Sequence, residues 1–168
     1  MRILICDTNI LIDLEEGRLL EQFFQLPYDF RVPDILFSEE LEAQHSHLPE
    51  LGLQIGELTS QSMYDAAGLI KRYGELSRND CFTLALARQE QCPLLTGDKA
   101  LRKAAQIEQV KTNGTIWVVN QLVKHQIIDK PEAQAAYERM KANHRRLPWT
   151  LAWRQLEQLQ IRKQVDSA

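Results

Sequence analysis

Three times in this chain a short apolar run ends near an acidic residue and passes at once into a helical stretch. Ile3 to Cys6 precedes Asp7, Phe30 to Phe37 precedes Glu39 and Glu40, and Cys92 to Thr96 precedes Asp98. A parallel sheet accommodates such a repeat, because each crossover helix brings the chain back and returns every strand's carboxyl end to one edge. The repeat therefore predicts an α/β fold, three layers α/β/α around a central parallel sheet, followed by C-terminal helices. The first run is bounded, β-rich and free of charge, as a central strand covered on both faces requires. Open α/β sheets bind ligands at the carboxyl ends of their strands. Asp7 stands at that end, although alone it could simply cap the next helix.

Between these junctions the spacing of apolar residues predicts the remaining elements. Asn9 to Leu26 reads as two short helices broken at Gly17, and Ser38 to Ala43 as a helix. Leu53 to Leu58 alternates like an edge strand, and Thr59 or Ser60 caps a helix that ends at Gly74. Leu76 to Arg88 begins a long helix, apolar on most of its faces and therefore central, with Asp80 in its first turn. Gly97 and Asp98 form a turn before a helix over 99–107, a small strand follows over 109–112, and Asn113-Gly114 opens the next helix. Two more helices begin at Pro131 and Pro148. With 168 residues and no internal repeat or low-complexity tract, one domain is expected, its core over about 1–125 and a helical extension over about 126–168.

No apolar run is long enough to span a membrane, and no leader is read ahead of the first strand, so the cytoplasm is the expected compartment. Cys6, Cys81 and Cys92 are odd in number and sit in apolar segments, which suits small buried hydrophobes in a reducing environment. The four histidines fit neither H-E-x-x-H nor any zinc spacing. The formal charge of -3 conceals a division. Residues 1–98 hold 7 Lys/Arg against 17 Asp/Glu, and residues 99–168 hold 13 against 6. An acidic site beside a basic track for a polyanion fits that asymmetry. Lys99, Arg102 and Lys103 lie just beyond Asp98, and Arg145 and Arg146 stand near Trp149 and Trp153. Those two tryptophans, four residues apart on one helix, read first as packing anchors, and second as platforms for unpaired bases.

Each acid has a structural use of its own. Ser77-x-x-Asp80 matches a capping box, Asp98 suits a helix N-cap, and Glu39 and Glu40 are favourable in a first helical turn. Four acids converging on one edge would be another matter, since clustered carboxylates raise one another's pKa unless a cation neutralises them. With oxygen ligands, that cation would be a hard ion such as Mg²⁺ or Mn²⁺.

Asp-Thr-Asn-Ile-Leu-Ile-Asp at 7–13, Glu40-Leu41 opening a helix, Asn79-Asp80-x-x-x-Leu84-Ala85-x-Ala87 and Leu95-Thr96-Gly97-Asp98-x-x-Leu101 together resemble a PIN domain. This is the metal-dependent nuclease fold of many bacterial and archaeal toxins, and the likeness covers about residues 2–125. Asn113 to Val119, with Ile127-Ile128-Asp129, is similar to the branch that adds a C-terminal helix pair. The resemblance implies an acidic catalytic and metal-binding set of Asp7, Glu40, Asp80 and Asp98, with Thr8, Asn9 and Thr96 as supporting donors. Glu39 competes with Glu40, which is favoured by the Leu41 that follows it. The resemblance further implies Mg²⁺ or Mn²⁺, an RNA substrate held by Lys99, Arg102, Lys103, Arg145 and Arg146, and a toxin role with a small antitoxin. It also implies a homodimer, a state common among relatives. A catalytically inactive scaffold that binds RNA or a protein is the alternative. Receiver and phosphatase readings fit less well, because Ile3 to Cys6 contains no acid and position 9 is Asn, which breaks Asp-x-Asp.

Overall fold

The computed structural model describes residues 1–160, and its strands form one parallel sheet in the order β3-β2-β1-β4-β5. In chain order come β1 (Arg2–Cys6), α1 (Thr8–Glu16), α2 (Leu20–Phe23), β2 (Tyr28–Pro33) and α3 (Asp34–Leu36). A π-helical turn (Phe37–Leu41) leads into α4 (Glu42–His45), α5 (Leu48–Leu51), β3 (Gln54–Gly56), α6 (Ser60–Arg72) and α7 (Arg78–Gln89). Then follow β4 (Leu94–Leu95), α8 (Lys99–Ile107), β5 (Thr112–Asn113), α9 (Thr115–Lys124), α10 (Lys130–Ala142) and α11 (Trp149–Gln158). Part of the expected C-terminal extension, residues 161–168, lies outside the described residues.

Strand β1 is central, paired with β2 on one side and β4 on the other. Successive strand residues point to opposite faces, and here they divide the core. Leu4 and Cys6 pack with α1, α2, α9, α10 and α11, whereas Ile5 packs with α6, α7 and α8. Those are the two outer layers of the α/β/α arrangement. Helix α7 buries every residue from Cys81 to Ala87, as a central helix must. The two C-terminal helices share the first core through Tyr137, Met140, Ala152 and Leu156. Trp149 and Trp153 both pack edge-on against the Tyr137 ring, at 6.0 and 5.6 Å between centroids. Their role is packing.

Two boundaries differ from the expectation. β2 ends at Pro33 rather than Phe37, because proline has no N–H with which to carry the ladder on. The chain turns helical at once, with Asp34 Oδ1 accepting the Ile35 N–H at 2.8 Å. Glu40 thus arrives on a π-helical turn, not in the first turn of a helix. The last small strand lies at Thr112–Asn113, later than 109–112, since Gln109 takes a left-handed turn with φ of 61°.

Candidate active site

Because all strands are parallel, the ends of β1 and β4 lie side by side, and the residues that leave them meet. Asp7 follows β1 and is 5% exposed. Thr96 follows β4 and donates its hydroxyl to Asp7 Oδ2 at 2.9 Å. The Asp98 backbone N–H donates in turn to Thr96 Oγ1 at 3.1 Å. This chain of two hydrogen bonds orients the Thr96 hydroxyl and fixes the Asp7 carboxylate.

The other acids are held by equally local chemistry. Asp98 caps α8, its Oδ1 accepting the Leu101 N–H at 2.8 Å. Asp80 closes a capping box with Ser77, Oδ2 accepting the Ser77 N–H at 3.0 Å. Glu40 Oε2 accepts from Asn79 Nδ2 at 3.1 Å. One oxygen of each carboxylate is therefore engaged, and its second oxygen has no partner among the described residues. None of the four is in an ion pair there. The capping and ligand readings of Asp80 and Asp98 are thus compatible, since a cap consumes a single oxygen.

Electrostatics ties these acids together. Burial above all, and then the charges of Asp80, Glu40 and Asp98, push the Asp7 carboxyl up to about 6 against the opposing hydrogen bond from Thr96. Burial and the Asp80 charge likewise raise Glu40. Glu39 behaves oppositely, held below its ordinary range by hydrogen bonds from Asn79 and Arg78. It is paired with Arg78, whereas Glu40 is among the charges that raise Asp7. Asn79, absent from the expected site, donates to both glutamates at 3.1 Å.

A hard divalent ion suits this donor set in kind, being all carboxylate oxygen with a net negative charge. The carboxylates do not form a ready cage, however. Among the described residues no three acidic, histidine or cysteine side chains are grouped closely enough to hold a metal. Thr8 is buried, and its hydroxyl lacks a partner among the described residues; Asn9 is exposed and lines a cleft of about 350 Å³ with Asp13, Gly97, Asp98, His144, Arg145 and Arg146. Lys99, Arg102 and Lys103 instead line a separate groove of about 660 Å³ with Gln106 and Lys111.

Asp13 was legible only as the end of a motif. It lies on the apolar face of α1 yet is 7% exposed, and its carboxylate accepts from Thr115 Oγ1 at 2.7 Å and Arg145 Nε at 2.6 Å. An acid three residues after Ile10 and one before Leu14, inside a buried stripe, is a visible flag. Its partners, more than a hundred residues later, are not. The cysteines carry no disulfide, and burial raises the thiol pKa of Cys81 and Cys92 to about 11.

A family model, DUF3368, described as a PIN domain, matches residues 3–160. The chain belongs to the PIN-domain family. No curated protein matches it. A PIN domain is in general a nuclease fold that works with divalent metals, and the parallel sheet between helical layers fits that family. No described helix is long and apolar enough to cross a membrane.

Proposed function

We propose that this PIN domain is a Mg²⁺- or Mn²⁺-dependent endoribonuclease that hydrolyses phosphodiester bonds of single-stranded or structured RNA in the cytoplasm. The observation that carries the reading is Asp7, a buried carboxylate raised to about 6 beside three further acids, with no cation paired to it among the described residues. Perturbed carboxylates of this kind concentrate at functional sites. Asp7 and Asp98 would be the principal metal ligands through their unengaged oxygens, and Glu40 and Asp80 would complete the set or hold the attacking water. Thr96 keeps Asp7 oriented, and Thr8 and Asn9 stand behind the same edge. When bound, the ion would supply Lewis acidity toward a phosphoryl oxygen and a more acidic water. Lys99, Arg102, Lys103 and Arg146 would supply the positive charge that an RNA backbone requires, whereas Arg145, expected among them, is paired with Asp13.

The biological role that fits is the toxin of a toxin–antitoxin pair, restrained by a small partner protein. A homodimer fits as well, on the face where α6 exposes Met63, Tyr64 and Ile70.

The lack of a preformed three-ligand group among the described residues favours a second reading, an inactive scaffold that binds RNA or protein without cutting. A thermal-unfolding titration with Mn²⁺ separates the two. The nuclease reading expects stabilisation of about 2.7 kcal/mol at a hundred times the dissociation constant, and loss of that shift in Asp98→Asn. A melting temperature indifferent to Mn²⁺ would favour the scaffold.

A further inference from the structure

The turn between α10 and α11 brings His144, Arg145 and Arg146 to the acid edge, where they line one cleft with Asn9, Gly97 and Asp98. The three side chains are differently placed. Arg145 is fastened, its Nε donating to Asp13 Oδ1 at 2.6 Å while Asp13 Oδ2 accepts from Thr115 at 2.7 Å. Asp13 belongs to α1 and Thr115 opens α9, so three elements meet at one buried carboxylate. A second tie lies on the same side, where Arg139 of α10 donates twice to the Gly17 carbonyl at 2.9 and 3.2 Å. Arg146 is exposed and makes no ion pair among the described residues. His144 takes a left-handed conformation, φ 61°, which turns the chain at this point.

We propose that Asp13, Thr115 and Arg145 form a clasp holding this turn beside the acids, so that Arg146, with His144, makes an anion subsite. Its ligand is a phosphate of the RNA strand adjacent to the one being cut, and the inference rests on the ribonuclease reading of the acid edge. A phosphodiester approaching several carboxylates is repelled unless a cation is held next to its path. The cations of α8 do not meet that need, because they line a different groove. In this cleft the positive charge comes from the turn alone. A guanidinium gives an oriented anion contact only if its backbone is fixed. Asp13 and Arg145 are the fixing pair, with side chains only 10% and 26% exposed. Arg145 is thus a positioning residue and Arg146 the binding one.

Bulk electrostatics and the clasp predict opposite signs for one substitution. Removing the Asp13 charge near a polyanion site should tighten RNA binding if only net charge matters; with the clasp it releases the turn and weakens binding. The test is fluorescence anisotropy of a labelled single-stranded RNA with the full chain carrying Asp7→Asn, which prevents cleavage, over about 50 to 200 mM salt. Adding Arg146→Ala should lower the slope of log affinity against log salt by about 0.7, one phosphate contact to a single strand. Asp13→Asn should weaken binding and flatten the slope to a similar extent, with an unchanged circular dichroism spectrum. If Asp13→Asn unfolds, Thr115→Val, which removes one hydroxyl, is read by the same criterion. An unaltered slope in Arg146→Ala overturns the inference. So does equal or tighter binding by folded Asp13→Asn, or by Thr115→Val in its place. Should the wild-type chain cut no RNA while these binding changes appear, the nuclease reading falls and the subsite stands; cleavage without them removes the subsite alone.

Discussion

Asp7 stores an electrostatic cost that can be measured without substrate. Its carboxyl titrates near 3.8 when exposed and near 6 in the fold. The native state therefore holds the proton to higher pH than the unfolded chain, so metal-free stability declines as pH rises from about 4 to about 6 and is level beyond. The cost above pH 6 is on the order of 2 to 3 kcal/mol. Asp7→Asn removes it: in EDTA at pH 7.5 this variant should melt above the wild type, and the two curves should converge below about pH 4. An unchanged or lowered melting point at pH 7.5 would contradict the assigned burial. Thr96 acts one bond further back, donating to Asp7 and accepting from the Asp98 N–H. Thr96→Val should lower Mn²⁺ affinity by about 10- to 100-fold, as loss of a ligand's supporting partner does, measured by calorimetric titration. Undiminished affinity would show that the hydroxyl does not orient the carboxylate.

At the scale of elements, strand ends and caps carried strong local signals, so β1, the Ser77–Asp80 capping box and the central α7 were legible from spacing alone, while the second box, Asp129 with Glu132, was not read. What spacing could not show was how the chain behaves between signals. Glu40 rides on a π-helical turn that ends at buried Leu41, and no sequence motif marks such a turn. Helix α11 was legible as a helix, but its attachment was not. It rests on Tyr137, which takes both tryptophan edges, and on Asn120 Nδ2 donating to Gln155 Oε1 at 2.8 Å. The Tyr137 hydroxyl is buried without a partner among the described residues, and burial raises its pKa. Tyr137→Phe should therefore leave the fold intact and raise stability by about 1 kcal/mol, since an unsatisfied buried hydroxyl costs about 1 to 3. Tyr137→Ala should cost about 3 to 5 kcal/mol. Chemical denaturation measures both, and a destabilised Tyr137→Phe would mean that the hydroxyl has a partner.

Across the whole molecule the charge division of the sequence becomes a spatial one, acids at the ends of β1 and β4 and cations on α8 and the turn before α11. That Asp7 and Asp98 leave neighbouring strand ends was inferable from parallel topology, whereas Glu40, on a π-helical turn well past the end of β2, follows no such rule. The Asp13–Arg145 pair was not inferable, since contact across 132 residues leaves no trace in local pattern. The α6 face makes a separate prediction. Met63→Glu combined with Ile70→Glu should convert a dimer to a monomer in sedimentation equilibrium, and a monomeric wild type at micromolar concentration would dismiss that interface. The central claim is the nuclease chemistry of the acid edge. It is tested most directly by incubating the purified wild type and Asp7→Asn with labelled single-stranded RNA, with Mn²⁺ and with EDTA. The wild type should give endonucleolytic products in Mn²⁺ alone and Asp7→Asn none; equal cleavage by the two proteins, or none by the wild type, would rule out that chemistry.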